Sequence, residues 1–282
     1  MNEDKSAALN MLLIFLISNL LALLIVPLYG EEYKAFQGQE ENPLIAVYYM
    51  CLMLVITGIV LYLSRKNMDK LIQGIFLFSI GITMIYVLTP ILYLFVGWIG
   101  EILAIVIGVL LCYLVYKNPE WYVIDIVGVL LSAGVAVILG ISLSYIPVIV
   151  FLIILAVYDY IAVYKTKHMV SLADRVIENK LPVLFVIPKK KGYSYKKEKG
   201  LKKEGKREAM FMGYGDVIIP GVLIISSYVY LESLLIGIST MLGAMCGMLI
   251  LFKFVLKGNP QSGLLFLNSG ALIGFSIGFF FF

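Results

Sequence analysis

Long apolar segments recur along the whole chain, at about 7–29, 43–63, 71–95, 98–117, 122–142, 144–165, 210–231, 233–256 and 261–282, with breaks of Gly, Pro, Asn or charged residues between them. Each approaches the roughly 20 residues that a helix needs to cross a hydrocarbon core of about 30 Å. The pattern predicts an all-α integral membrane protein of nine transmembrane helices. The narrowest breaks are Val96-Gly97 and the few residues around Ser144. The one long hydrophilic interval divides the chain into three parts. These are a six-helix membrane part at 1–166, a basic loop at 167–209 and a three-helix membrane part at 210–282.

Loop charge orients this layout, because cytoplasmic loops carry an excess of Lys and Arg. Glu31, Glu32, Glu40 and Glu41 share the first loop with Lys34 alone, whereas Arg65, Lys66 and Lys70 face only Asp69 in the second. The interval 165–209 holds 14 of the 22 basic residues and five acids, and Lys253 and Lys257 close the eighth span. All of this is consistent with the N-terminus inside and the C-terminus outside. Ala7 opens the first long apolar run, and no small-residue cleavage site precedes Gly30, so this segment reads as an anchor rather than a removed signal peptide.

Within the basic loop, Leu172, Val176 and Ile177 share one face of a short amphipathic helix at 171–181. Val183, Leu184, Phe185, Val186 and Ile187 follow between Pro182 and Pro188, too short to span and rich in strand formers, so they read as an isolated strand. Lys189 to Arg207, with three glycines, reads as a mobile, solvated tail with no nucleic-acid role.

Composition narrows the chemistry. Apolar residues make up 61% of the 282 positions and charged residues 14%, which excludes an ordinary soluble domain. Cys51, Cys112 and Cys246 lie in apolar runs without metal-ligand spacing, and His168 is the single histidine. No metal site, cofactor or disulfide frame is implied, and HExxH zinc chemistry is absent.

Acids within a span cost roughly 2.5–3.5 kcal/mol each on insertion scales, so each needs a reason. Glu101 lies three residues after Trp98 and Asp125 four after Trp121, where an interfacial tryptophan brings water and headgroups within reach. Both are read as interfacially solvated. Asp159 and Asp216 differ. Asp159 precedes the end of the sixth span by about 9 Å, and Asp216 follows the start of the seventh by about 12 Å. On consecutive antiparallel helices, both fall at similar depth in the cytoplasmic half.

Two carboxyls that meet in a low dielectric cannot both ionise comfortably, so they share one proton and divide into base and acid. That is the apparatus of aspartic peptide hydrolysis, in which one carboxylate activates water and the other carboxyl hydrogen-bonds the substrate carbonyl. Gly213 and Gly215, lacking Cβ atoms, let a substrate backbone pass close to Asp216; close helix packing is the other use of such glycines.

Tyr158-Asp159 in the sixth span and Gly213-Tyr214-Gly215-Asp216 in the seventh resemble the YD and GxGD motifs of the presenilin and signal peptide peptidase family of intramembrane aspartyl proteases. That family places Pro-Ala-Leu at the start of its ninth span. Here the matching residues are Ser262, Gly263 and Leu264, with Pro260 just upstream. The resemblance implies an endopeptidase whose Asp159 and Asp216 cut transmembrane helices or signal peptides near the cytoplasmic face, with Tyr158, Gly213, Tyr214, Gly215 and the ninth-span triplet supporting them. The N-inside orientation read from the loop charges is that of presenilin, the reverse of signal peptide peptidases. Short loops and termini point to an enzyme that acts without accessory subunits in a prokaryotic, archaeal-type cell membrane. A proton- or cation-coupled transporter is the alternative in another class, since it too uses intramembrane carboxylates. It accounts for neither the GxGD sequence nor the lack of an inverted repeat. Because a helical peptide bond is shielded by its own hydrogen bonds, the segment Val183–Ile187 is a candidate edge onto which an unwound substrate adds as a strand.

Overall fold

The computed structural model describes residues 3–36, 38, 40–66, 68–166, 176–178, 180–190, 192–198, 208–256 and 261–282. Among them the long helices are α1 (Glu3–Ile25), α2 (Leu44–Arg65), α3 (Asp69–Val96), α4 (Ile99–Lys117), α5 (Trp121–Ser142), α6 (Tyr145–Tyr160), α7 (Tyr214–Leu231), α8 (Leu234–Val255) and α9 (Gly263–Phe281). Among the described residues, eight helices are found long and apolar enough to cross a membrane. The molecule is thus a multi-pass helical membrane protein.

The two narrow breaks are real. Gly97 takes φ +59°, a left-handed value that costs glycine little, and its N–H closes on Tyr93 O to end α3. Extended Leu143 and Ser144 separate α5 from α6. A central core joins α1, α5, α6 and α7–α9, with Phe15, Ile124, Leu152, Leu223 and Met248 buried at its heart. The α3–α4 hairpin packs outside it against α5 through Met84, Val115 and Val127.

Glycines set the α8–α9 distance. A Cβ on Gly243 would overlap Gly270 O, and one on Gly247 would overlap Phe266 O, so each helix backbone lies directly on the other. Ser239 Oγ adds a hydrogen bond to Gly274 O at 2.7 Å. This pairing fixes the start of α9.

The basic loop departs from expectation in three ways. The strand is present over Leu184–Pro188 (β1) but is not isolated: it pairs antiparallel with β2 (Ala209–Gly213), with Val186 opposite Phe211. The seventh helix accordingly begins at Tyr214 rather than at 210, so the boundary placed there falls inside β2. A short apolar run such as Ala209-Met210-Phe211-Met212 reads equally as helix or strand until its partner is known.

The segment read as a mobile tail is folded at 193–198. Glu120 accepts from Ser194 Oγ at 2.8 Å and from Tyr195 N–H at 3.2 Å, and Tyr195 is fully buried. Lys180 holds its ammonium 4.5 Å from the centre of the Tyr195 ring. Burial pushes the Lys180 amine below its usual range, opposed by the charges of Glu198 and Glu120. Of the expected amphipathic helix, 176–178 are helical, with Val176 and Ile177 buried. Leu172 and His168 lie outside the described residues, as do 199–207 of the tail and Pro260 before α9.

Candidate active site

Asp159 is the penultimate residue of regular α6, and the chain widens immediately after it into a π-helical turn, Ile161–Thr166. Such turns redirect the side chains beside them. The carboxylate is 5% exposed. Its Oδ2 accepts from Ser262 Oγ at 2.6 Å and from Leu264 N–H at 3.1 Å.

Asp216 stands in the first turn of α7, where Gly213 is the N-cap. Its carboxylate reaches back to accept from the Gly213 N–H, which satisfies one of the donors left open at a helix start. Pro220, four residues on, lacks the N–H that would bond the Asp216 carbonyl.

Gly263 brings the two acids together. A Cβ there would lie 3.3–3.4 Å from the Asp216 carboxylate, while Ser262 and Leu264 on either side bind Asp159. Asp159 is close enough to Asp216 to act on it through its charge. α7 starts six residues later than 208, so Asp216 stands in its first turn rather than eight residues in.

The remaining site residues divide by role. Tyr214 is buried, donates to Ile124 O at 2.7 Å and packs its ring 4.6 Å from that of Phe185. Tyr158 packs against the central core. A Cβ on Gly213 or Gly215 would meet nothing closer than 3.6 Å and 3.9 Å respectively. Neither glycine is required by helix packing, and Gly215 is exposed. Leu264 is buried at the base of α9.

Asp125 corrects the sequence reading. It is 9% exposed, and its Oδ1 accepts from Val186 N–H at 2.8 Å, so it is bonded in the interior rather than solvated at an interface. Glu101 is exposed, as is Trp98.

A bundle of membrane-length helices enclosing two interacting aspartates defines a class, the hydrolases that work inside the bilayer with paired carboxyls. The family described as signal-peptide peptidase, presenilin aspartyl protease matches residues 12–282. Two solved structures of a presenilin family intramembrane aspartate protease, in space groups C222 and P2, are similar at 32% and 35% identity, with TM-scores of 0.69 and 0.70. In each comparison 96% of both chains is covered. No relative is found among curated proteins. The chain belongs to the signal peptide peptidase and presenilin family and is an intramembrane aspartyl protease, an endopeptidase. The transporter alternative is left without support.

Proposed function

We propose that Asp159 and Asp216 are the catalytic pair, and that they hydrolyse peptide bonds within transmembrane helices or signal peptides. The observation that carries this is the Ser262-Gly263-Leu264 triplet, which touches both carboxylates. The ionised member takes a proton from water as that water attacks the carbonyl carbon. The protonated member hydrogen-bonds the carbonyl oxygen as its charge grows, then a proton passes to the leaving amide nitrogen. Tyr214 anchors the GxGD turn through Ile124 O, Tyr158 backs Asp159, and Gly213 and Gly215 leave room for the substrate chain.

The substrate's unwound backbone adds to the β2 edge, not to β1. Tyr214 N–H bonds Val183 O and Lys189 N–H bonds Glu208 O, so the ladder's bonded pairs fall on odd-numbered β1 residues. Val186 N–H therefore points outward, where Asp125 takes it. On β2 the outward groups are those of Phe211 and its alternate neighbours, and among the described residues no third strand pairs with them. That edge runs into Gly213 and Asp216.

Nine spans with the N-terminus inside and the C-terminus outside fit the loop charges, with the six-helix part presenting Asp159 and the three-helix part Asp216. On this reading the enzyme works in the cell membrane, with the bilayer and transmembrane helices as its partners and without accessory subunits. Purified protein in detergent is incubated with a labelled transmembrane peptide. Discrete fragments from the intact enzyme, absent with Asp216→Asn, are expected; fragments at equal rate from both would refute the assignment.

A further inference from the structure

Asn268 is fully buried on α9, one turn past Leu264, and the hydrolysis described above does not use it. Its Nδ2 donates to Leu152 O of α6 at 3.0 Å, and among the described residues no donor meets its Oδ1. The Leu152 carbonyl lies inside regular α6, where the Ala156 N–H four residues on already serves it. No orphaned backbone group therefore calls for the amide. Burying an amide oxygen without a donor costs stability, and an interhelical hydrogen bond within a membrane returns little of it. A leucine of nearly the same size would fill the place without that cost. What leucine lacks is a directional bond.

Asp159 draws both Ser262 Oγ and Leu264 N–H from α9, so its carboxylate is oriented only while α9 stands at the right height beside α6. α9 is locked to α8 by the close approaches at Gly243 and Gly247, but α8 carries neither aspartate. Against α6 the remaining contacts hold height weakly. At the start of α6, Tyr145 stacks on Phe275, and apolar attraction of this kind is largely non-directional. Beyond Asp159, Tyr164 Oη donates to Gln261 Oε1 in an exposed position, where water competes for both groups. The Asn268 bond is buried, and it lies about 6 Å along α9 from Leu264. The pairs 152 with 268 and 159 with 264 follow one antiparallel register, so a slide at the first is a slide at the second.

We infer that Asn268 is a positioning residue that sets the height of α9 against α6 and thereby keeps Ser262 and Leu264 on Asp159. The inference rests on the assignment of Asp159 to the catalytic pair. Asn268→Leu in the full-length protein should melt no lower than the parent, because it removes an unpaired buried oxygen. On one transmembrane peptide it should lower kcat at least about tenfold, since a misplacement of about 1 Å costs a catalytic group up to a hundredfold, while KM stays within about threefold. A second substitution tests the route. Ser262→Ala should slow the parent about ten- to a hundredfold, but should cost less than about threefold in the Asn268→Leu background, where the contact it removes is already lost.

Should the leucine variant not extract as a folded protein, Asn268→Ala reads the same quantities. A parent-like kcat in Asn268→Leu would reduce the amide to a packing tie between helices. Losses that multiply in the double variant would show that Asn268 does not act through Ser262, and the inference would fall. A rise in KM with kcat unchanged would overturn it as well, by placing the effect on substrate binding. The underlying assignment fails separately, if Asp159→Asn cuts the same peptide at the parent rate.

Discussion

Ser262 Oγ donates to Asp159 Oδ2 at 2.6 Å, and the family's proline at this place could make no such bond. With the Leu264 N–H on the same oxygen, the hydroxyl fixes the carboxylate's orientation. A hydrogen bond to a charged group contributes about 1.5–3 kcal/mol, so Ser262→Ala should lower kcat by roughly ten- to a hundredfold. Ser262→Thr, which keeps the hydroxyl, should recover most of it. Ser262→Pro suits the backbone, at φ −73°, yet should behave like alanine. Initial rates on one transmembrane peptide compare the three, and a fully active proline variant would show that turn rigidity is what counts.

Asp159→Asn and Asp216→Asn should each abolish cleavage while leaving folded, extractable protein. On the proposed mechanism both carboxyls act as one unit, and removing a charge from the helix interior relieves desolvation rather than adding to it. Fragment analysis beside a thermal melt in detergent separates lost chemistry from lost fold.

The dependence of kcat/KM on pH should be a bell. At low pH both carboxyls hold protons and none can take one from water; at high pH neither holds one to donate. The two limbs belong to the pair and not to either residue. Rates on a substrate without ionisable groups near the scissile bond, measured over the range where the fold is intact, check this; a flat profile would count against a shared proton.

Gly243→Ala should destabilise the protein by about 1–3 kcal/mol, because the new methyl meets the Gly270 carbonyl with no void to take it. Gly215→Ala should leave stability almost unchanged, its nearest neighbour lying 3.9 Å away, yet should slow cleavage of helical substrates. Equilibrium unfolding with paired activity assays tells packing from substrate clearance at the two glycines.

Impermeant amine reagents should reach Lys196 only from the cytoplasmic side of sealed vesicles, and reagents for carboxylates should reach Glu40 only from the other. The reverse labelling would invert the proposed orientation.

The spans and the two aspartates were legible because each is marked against its background. An acid in an apolar run is conspicuous, and twenty apolar residues in succession leave few alternatives. Asp125 was misread because the visible cue, Trp121, is four residues away, whereas its partner Val186 is 61 away and announces nothing. β2 was hidden for the same reason: Ala209–Gly213 continues the apolar run of α7, and only its pairing with β1 makes it a strand. Pairing over a distance leaves little trace in local pattern. The Ser262 bond, by contrast, could have been sought from the departure at that position, since a hydroxyl in place of proline adds a donor.

The extended approach to α7 also bears on where the second reactant comes from. Each turnover consumes a water, and lipid-facing walls admit very little. Among the described residues the outer edge of β2 pairs with no strand, and on the reading proposed above its polar backbone groups form a wettable strip that leads to Asp216. No hydrated pore through the bundle is needed, which is compatible with a chain so poor in charge. The same strip is covered when substrate pairs with it. On the proposed reading, hydration of the aspartates precedes docking, and each arriving peptide seals in the molecule that will cut it.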